Sequence, residues 1–173
     1  MKRLFLLLMM LFVVVACHQA AGDWQIDADT FGPVRIGMTV KDAEKVTAKE
    51  ILQEKPGQNV DEACRYAVLK GGPSNVQLML VYDQIVRIDI RNPAYKTATG
   101  VHVGMPIDQA VSLYPNRLKV DKDKYTGYKG GKNLIVIPQD DKFHKLIIDT
   151  DGKIVTNIRL GKVPEIDYVE GCS

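Results

Sequence analysis

Hydrolytic chemistry needs a nucleophile beside a base, and the chain offers Ser74, Ser112 and Ser173 with His18, His102 and His144. None of these serines stands in the Gly-x-Ser-x-Gly elbow that exposes a nucleophile on a sharp strand-to-helix turn. Ser74 follows Gly72-Pro73 in a turn, Ser112 falls in a helical stretch and Ser173 is the last residue, so the expected catalytic set is none. Zinc needs several nitrogen or sulfur ligands, and there is no His-Glu-x-x-His. Asp149-x-Asp151-Gly152 begins like a calcium loop, but Lys153, Ile154 and Val155 follow and no glutamate completes it. An Asp-Gly hairpin turn explains it better, and the expected metal set is also none. Lys70-Gly71-Gly72 and Lys129-Gly130-Gly131 lack the spacing of a phosphate-cradling loop, so no cofactor is expected.

Cysteine chemistry is more informative. Lys2 and Arg3 precede an unbroken apolar run from Leu4 through Ala16. That run is too short to span a bilayer, which takes roughly 20 residues, and reads as an export signal over residues 1–16. The exit Val14-Val15-Ala16-Cys17 resembles the bacterial lipobox. The resemblance implies lipidation at Cys17, with a diacylglycerol and an amide-linked chain such as palmitate. Several acyl chains anchor stably, at about 0.8 kcal/mol per buried methylene. Ala20-Ala21-Gly22 offers a competing cut that would give simple secretion. His18, rather than Asp, follows the cysteine; by the same resemblance the anchor would sit in the outer membrane facing the periplasm, with the membrane itself as a first partner.

Lys2 and Arg3 leave with the signal, so the 23 basic residues fall level with the 21 acidic ones and the mature chain is formally neutral. Nucleic acid is therefore not an expected partner. A chain of this length buries about 70% of its unfolded surface, enough for one domain or two small units sharing a sheet. With Cys17 assigned to lipid, Cys64 and Cys172 remain as a pair in an oxidising compartment. Their disulfide would close a loop worth about 4.7 kcal/mol on the chain-entropy model; two free thiols are the alternative. No Cys-x-x-Cys spacing points to redox chemistry.

The elements that carry these residues follow a pattern. Residues 17–30, polar and acidic, read as a tether. Then Val34-Arg35-Ile36-Gly37-Met38-Thr39-Val40 with Ala43 is matched 67 residues later by Val101-His102-Val103-Gly104-Met105-Pro106-Ile107 with Ala110. Both read as an extended approach, a Gly-Met corner and a short amphipathic helix. Thr39 and Asp42 suit a capped start, and Pro106 suits a position whose amide donor is dispensable. His102 takes the place of Arg35, which makes it a solvent-facing strand residue. Arg65-Tyr66-Ala67-Val68-Leu69-Lys70-Gly71-Gly72 is echoed by Lys124-Tyr125-Thr126-Gly127-Tyr128-Lys129-Gly130-Gly131, both read as a strand entering a glycine turn.

Alternating segments predict strands at Val76 to Tyr82, Ile85 to Ile90, Asn133 to Ile137, Lys145 to Asp149 and Ile154 to Leu160, with turns at Asp83-Gln84 and Asp151-Gly152. The expected class is α+β, a tandem repeat of a short helical segment plus an antiparallel β-meander, forming one continuous or two adjoining sheets. Residues 31–96 are the first repeat and 97–173 the second, the latter with a C-terminal disulfide tail.

On the paired Gly37-Met38 and Gly104-Met105 corners, the approach from Thr97 to Gly104 and the closing Glu170-Gly171-Cys172, residues 31 to 160 and the tail resemble the two-repeat beta-lactamase inhibitory protein-like (BLIP-like) family, including small envelope lipoproteins. A more distant likeness is to the single-repeat outer-membrane assembly lipoproteins of the BamE type. These resemblances imply a protein-binding surface on loops and transfer no catalytic residue.

The candidate binding residues are Tyr125, Tyr128 and Lys129, flanked by Lys124 and Lys132, because tyrosines and cations make good interface anchors. The alternative places Tyr125 in the core and the lysines on a solvated edge. The function expected is a non-catalytic, lipid-anchored module of the bacterial envelope that binds an envelope protein, as a hydrolase inhibitor or assembly accessory. An enzyme acting on cell wall or glycan, and a structural envelope lipoprotein, are the rivals.

Overall fold

The computed structural model describes residues 24–55, 63–137 and 141–172. The export signal, Cys17, His18 and Ser173 lie outside the described residues. The fold is mostly β. A two-stranded sheet, β1 (Thr30–Phe31) and β2 (Val34–Arg35), precedes the helix α1 (Val40–Thr47). The strands β3 (Ile51–Gln53), β4 (Cys64–Leu69), β5 (Val76–Val81) and β6 (Gln84–Ile90) follow, then α2 (Ile107–Ser112). The strands β7 (Leu118–Lys122), β8 (Lys132–Val136), β9 (His144–Thr150) and β10 (Val155–Lys162) complete one continuous antiparallel sheet of order β3-β4-β5-β6-β10-β9-β8-β7.

Helix α1 starts where its sequence says it should: the Asp42 amide donates to Thr39 Oγ1 at 3.2 Å, and that hydroxyl donates to Asp42 Oδ2 at 2.7 Å. This cap satisfies one of the amides that a helix start leaves without a partner. Both helices are reached through a glycine corner. Gly37 (φ +90°) donates to the Ile85 carbonyl and Gly104 (φ +88°) to that of Val155. Met38 donates to the Arg35 carbonyl and Met105 to that of His102, each at 3.2 Å. A Cβ on either glycine would meet nothing within 4 Å, so the positive φ and not space demands glycine.

One face of the sheet holds the main core. The helix residues Ala43 and Ala110, both fully buried, lie on it with Leu78, Leu80, Ile88, Ile90, Leu134, Ile148, Ile158 and Leu160. Each such large aliphatic side chain contributes about 1.5–3 kcal/mol on burial. Ile26 and Phe31 belong to the same core, and Trp24 and Tyr95 flank the Phe31 ring at centroid distances of 4.9 and 5.1 Å.

Several expectations need correction. The tether does not run to residue 30: Ile26 is fully buried, its amide donates to the Lys96 carbonyl, and it bridges to Phe31 and Thr97. Ile26 and Trp24, two apolar side chains in an acidic stretch, draw residues Trp24 to Thr30 into the fold. The segment from Lys124 to Gly131 is no strand either. It is a loop with a 3-10 turn over Gly127–Lys129, so its likeness to strand β4 was compositional. The short edge strands β3 and β7 had no clear sequence signal. His102 lies in a turn, its Nδ1 3.0 Å from the Val103 carbonyl, and not on a strand. The β5–β6 turn is Tyr82-Asp83, both at positive φ, one residue earlier than expected.

Candidate interaction surface

The expected binding residues sit on the loop joining β7 to β8, and Asp123 organises it. Its Oδ1 accepts from the amides of Tyr125 and Thr126 and from the Thr126 hydroxyl, at 2.7–2.9 Å. The Gly131 amide closes the loop on the Thr126 carbonyl at 3.0 Å, and a Cβ at Gly131 would fall 1.9 Å from Thr126 Oγ1. Desolvation pushes the Asp123 carboxyl up, but the hydrogen bonds from Thr126 and Tyr125 outweigh it and the pKa falls below the ordinary value.

The loop presents its side chains differently. Tyr128 is 80% exposed, with Lys129 Nζ 5.2 Å from its ring centroid. Tyr125 is half exposed, not core, and its hydroxyl donates to Glu170 Oε1, which also pairs with Lys124 Nζ at 2.8 Å. Those bonds from Lys124 and Tyr125 hold the Glu170 carboxyl below its usual range, while the bond to Glu170 raises Lys124 and Tyr125. Tyr128 and Lys129 are thus open for contact, whereas Tyr125 and Lys124 tie the loop to the C-terminal tail.

That tail crosses the second face of the sheet. Arg87 NH1 donates to the Tyr168 carbonyl at 2.8 Å and Arg159 NH1 to that of Ile166 at 3.1 Å. Lys145 Nζ meets Asp167 Oδ2 at 2.6 Å, and Cys64 and Cys172 stand at disulfide distance, 2.05 Å. Beneath the tail lies a charged network that strand alternation alone would have placed in solvent. Arg87 Nε pairs with Asp89 Oδ2 at 2.8 Å, and these residues are only 6% and 1% exposed. Arg159 holds Asp149 through two bonds of 2.8 and 2.7 Å, and Asn157 Nδ2 donates to both Asp89 and Asp149. Burial raises the Asp149 pKa despite Arg159; for Arg159, the pairing with Asp149 outweighs burial and raises it. These charges are consumed by one another, as buried ions require.

Between the tail and the strand β5 runs an open groove of about 420 Å³ lined by Cys64, Val81, Glu165, Tyr168, Val169 and Cys172. On the other side, His144 Nδ1 lies 2.6 Å from Asp141 Oδ2, beside a smaller cavity of about 130 Å³ that Arg117 and Tyr114 also line. The bond from His144 is the main cause of a lowered Asp141 pKa. Ser74 is bonded to Asn92 and Ser112 to the Gln109 carbonyl. Among the described residues no group of three metal-ligating side chains converges. Asp151 closes its turn by accepting from the Lys153 and Ile154 amides, at 2.8 and 2.9 Å. No described helix is long and apolar enough to cross a membrane.

No protein-family model and no curated protein matches the chain. Among solved structures it is similar to the uncharacterized protein YfeY from Escherichia coli, with a TM-score of 0.47 and 14% identity, covering 80% of this chain and 99% of that one. It is also similar to an extracellular protein containing a SCP domain from Bacillus anthracis str. Ames, at TM-score 0.47 and 8% identity. That match covers 74% of this chain and 44% of the other, so the chain spans less than half of that protein.

Proposed function

We propose that the chain is a non-catalytic protein-binding module of the bacterial envelope, anchored by lipid at Cys17 and built from two copies of a helix-plus-meander repeat. The observation that carries the binding reading is the Asp123-organised loop, which holds Tyr128 and Lys129 exposed on a backbone whose hydrogen bonds are already made. Little backbone conformational entropy then remains to be lost when a partner contacts them. The repeat reading is supported by the matching bonds of Gly37 with Gly104 and of Met38 with Met105. A BLIP-like relationship would be consistent with contacts made from loops, and an envelope protein, as inhibited hydrolase or assembly partner, is the occupant in view.

Crosslinking in intact envelopes, followed by affinity recovery, tests it. The wild-type chain should recover a partner that Tyr128→Ala/Lys129→Ala loses by tenfold or more, an interface anchor being worth about 2 kcal/mol. Equal recovery by the two chains would refute the loop as the binding surface. Cys17→Ser should move the protein from the membrane fraction to the soluble one, and unchanged fractionation would remove the anchor from the reading.

A further inference from the structure

The two edges of the large sheet are finished differently. At β3 the amides of Glu54 and Lys70 donate across the β3–β4 pair, to the carbonyls of Tyr66 and Glu50, so residues 50, 52 and 54 face inward and Ile51 and Gln53 outward. The outward Ile51 amide is taken by Glu44 Oε1 of α1, at 2.9 Å. That edge is three residues long and capped. At β7 the bonds from Ile137 to the Arg117 carbonyl and from Asp123 to the Gly131 carbonyl turn residues 117, 119, 121 and 123 inward. Leu118, Val120 and Lys122 therefore direct their amides and carbonyls outward. The described structure gives those groups no partner, and Val120 is half exposed. Sixty-seven residues after Glu44, where a second capping carboxylate would stand, the chain has Val111.

We infer that β7 is a self-pairing edge, at which a second copy of this chain docks antiparallel about a two-fold axis through Val120. The argument is one of parity and charge. Outward-facing residues must oppose outward-facing residues, so an even-numbered position must meet an even-numbered one. Centring on Val120 is the register that uses all three, pairing Leu118 with Lys122 of the second copy and joining the sheets through six backbone hydrogen bonds. The same register sets Lys119 opposite Asp121 of the second copy, twice by symmetry. Within one chain Lys119 Nζ already lies 2.8 Å from Asp121 Oδ2, on one face of the strand. Pairing therefore brings two such ion pairs together with opposite charges adjacent at each contact.

Five residues of edge are less than the roughly 800 Å² per partner of a stable interface, so the dimer is weak and concentration-dependent. Its register makes it testable by position. In the purified protein under mild oxidation, Val120→Cys should form a disulfide-linked dimer, since opposed Cα atoms at such a site lie about 5.5 Å apart. Lys119→Cys and Asp121→Cys should each crosslink poorly alone and well when mixed. The matched arrangements should exceed the unmatched by tenfold or more on those spacings. Lys119→Asp, which places like charges opposite, should weaken self-association in sedimentation by about tenfold, and Lys119→Asp/Asp121→Lys should restore it. Circular dichroism checks that each variant is folded, as expected for exposed edge positions. Equal crosslinking in every arrangement, or a monomer at all concentrations, would each overturn the proposal.

Discussion

Arg87→Met removes the cation from beneath the C-terminal tail and keeps most of its apolar volume. Asp89, 1% exposed, would be left with the Asn157 amide at 3.2 Å and Arg91 at 4.0 Å. Removing one partner of a buried pair costs about 3–5 kcal/mol. Arg91, itself half exposed, can move closer and hold the cost near the lower end. Loss of the bond to the Tyr168 carbonyl adds about 1 kcal/mol, for a total of about 4 kcal/mol. That is a large share of the 5–15 kcal/mol typical of a domain, and amounts to about 8–16 °C in Tm. Urea unfolding at neutral pH under oxidising conditions reads it directly. Arg87→Met/Asp89→Leu, which removes the stranded charge as well, should recover at least about 2 kcal/mol of the loss. A single-variant cost under about 1 kcal/mol, or a double variant no better than the single, would refute the view that the pair is buried and mutually dependent.

Cys64→Ser should cost about 2–5 kcal/mol in the same assay, since the bridge closes a separation of 108 residues; non-reducing peptide mass spectrometry must first find Cys64 joined to Cys172. Gly37→Ala and Gly104→Ala should each cost about 1–2 kcal/mol in thermal unfolding. Both suffer only from φ, so costs differing by more than about 1 kcal/mol would argue against equivalent corners. The pH dependence has opposed contributions. The lowered pKa values of Asp123, Asp141 and Asp151 give stability that is present above the ordinary carboxylate value and lost as pH falls through the depressed one. The raised Asp149 contributes stability fully present below its unfolded pKa and lost as pH rises through the folded one. Asp123→Asn should therefore flatten the acid limb of the stability curve, and an unchanged limb would contradict the hydrogen-bond origin of the Asp123 shift.

The sequence carried the central strands and both helix starts because period-2 and period-3.6 patterns report burial of one face directly. Gly37 and Gly104 were legible for a similar reason, since a corner at positive φ has few acceptable residues. The edge strands were not. β3 buries one of its three residues, and β7 reads Leu-Lys-Val-Asp-Lys, in which neither face is fully covered, so alternation has little contrast to display. The echo between residues 65–72 and 124–131 misled because tyrosine, lysine and paired glycines suit a strand end and a tight loop equally well. Exposure of Tyr128 could not be read from that likeness, whereas Asp123 three residues before Thr126 was a turn-forming signal left unused.

The charged face poses a deeper problem for pattern reading. In β6 the order Val86-Arg87-Ile88-Asp89-Ile90 says that Ile88 and Ile90 face a core and that Arg87 and Asp89 face water. The first inference holds and the second fails, because alternation distinguishes two faces without saying what else covers them. What covers this face is the tail from Val163 to Cys172, which has no long periodic element and docks through one fully buried side chain, Ile166, together with backbone carbonyls, a lysine–aspartate pair and a disulfide. Carbonyls leave no trace in composition. The cysteine count was therefore the sequence's one strong sign that the tail returns to the sheet. From the end of β10, Cys172 reaches Cys64 on β4 past β6 and β5, and the tail that takes it there lies over Arg159 and Arg87, whose guanidinium groups find the Ile166 and Tyr168 carbonyls above them. Taken with the pattern of β6, the disulfide identifies which polar residues are buried, and so which substitutions should be costly.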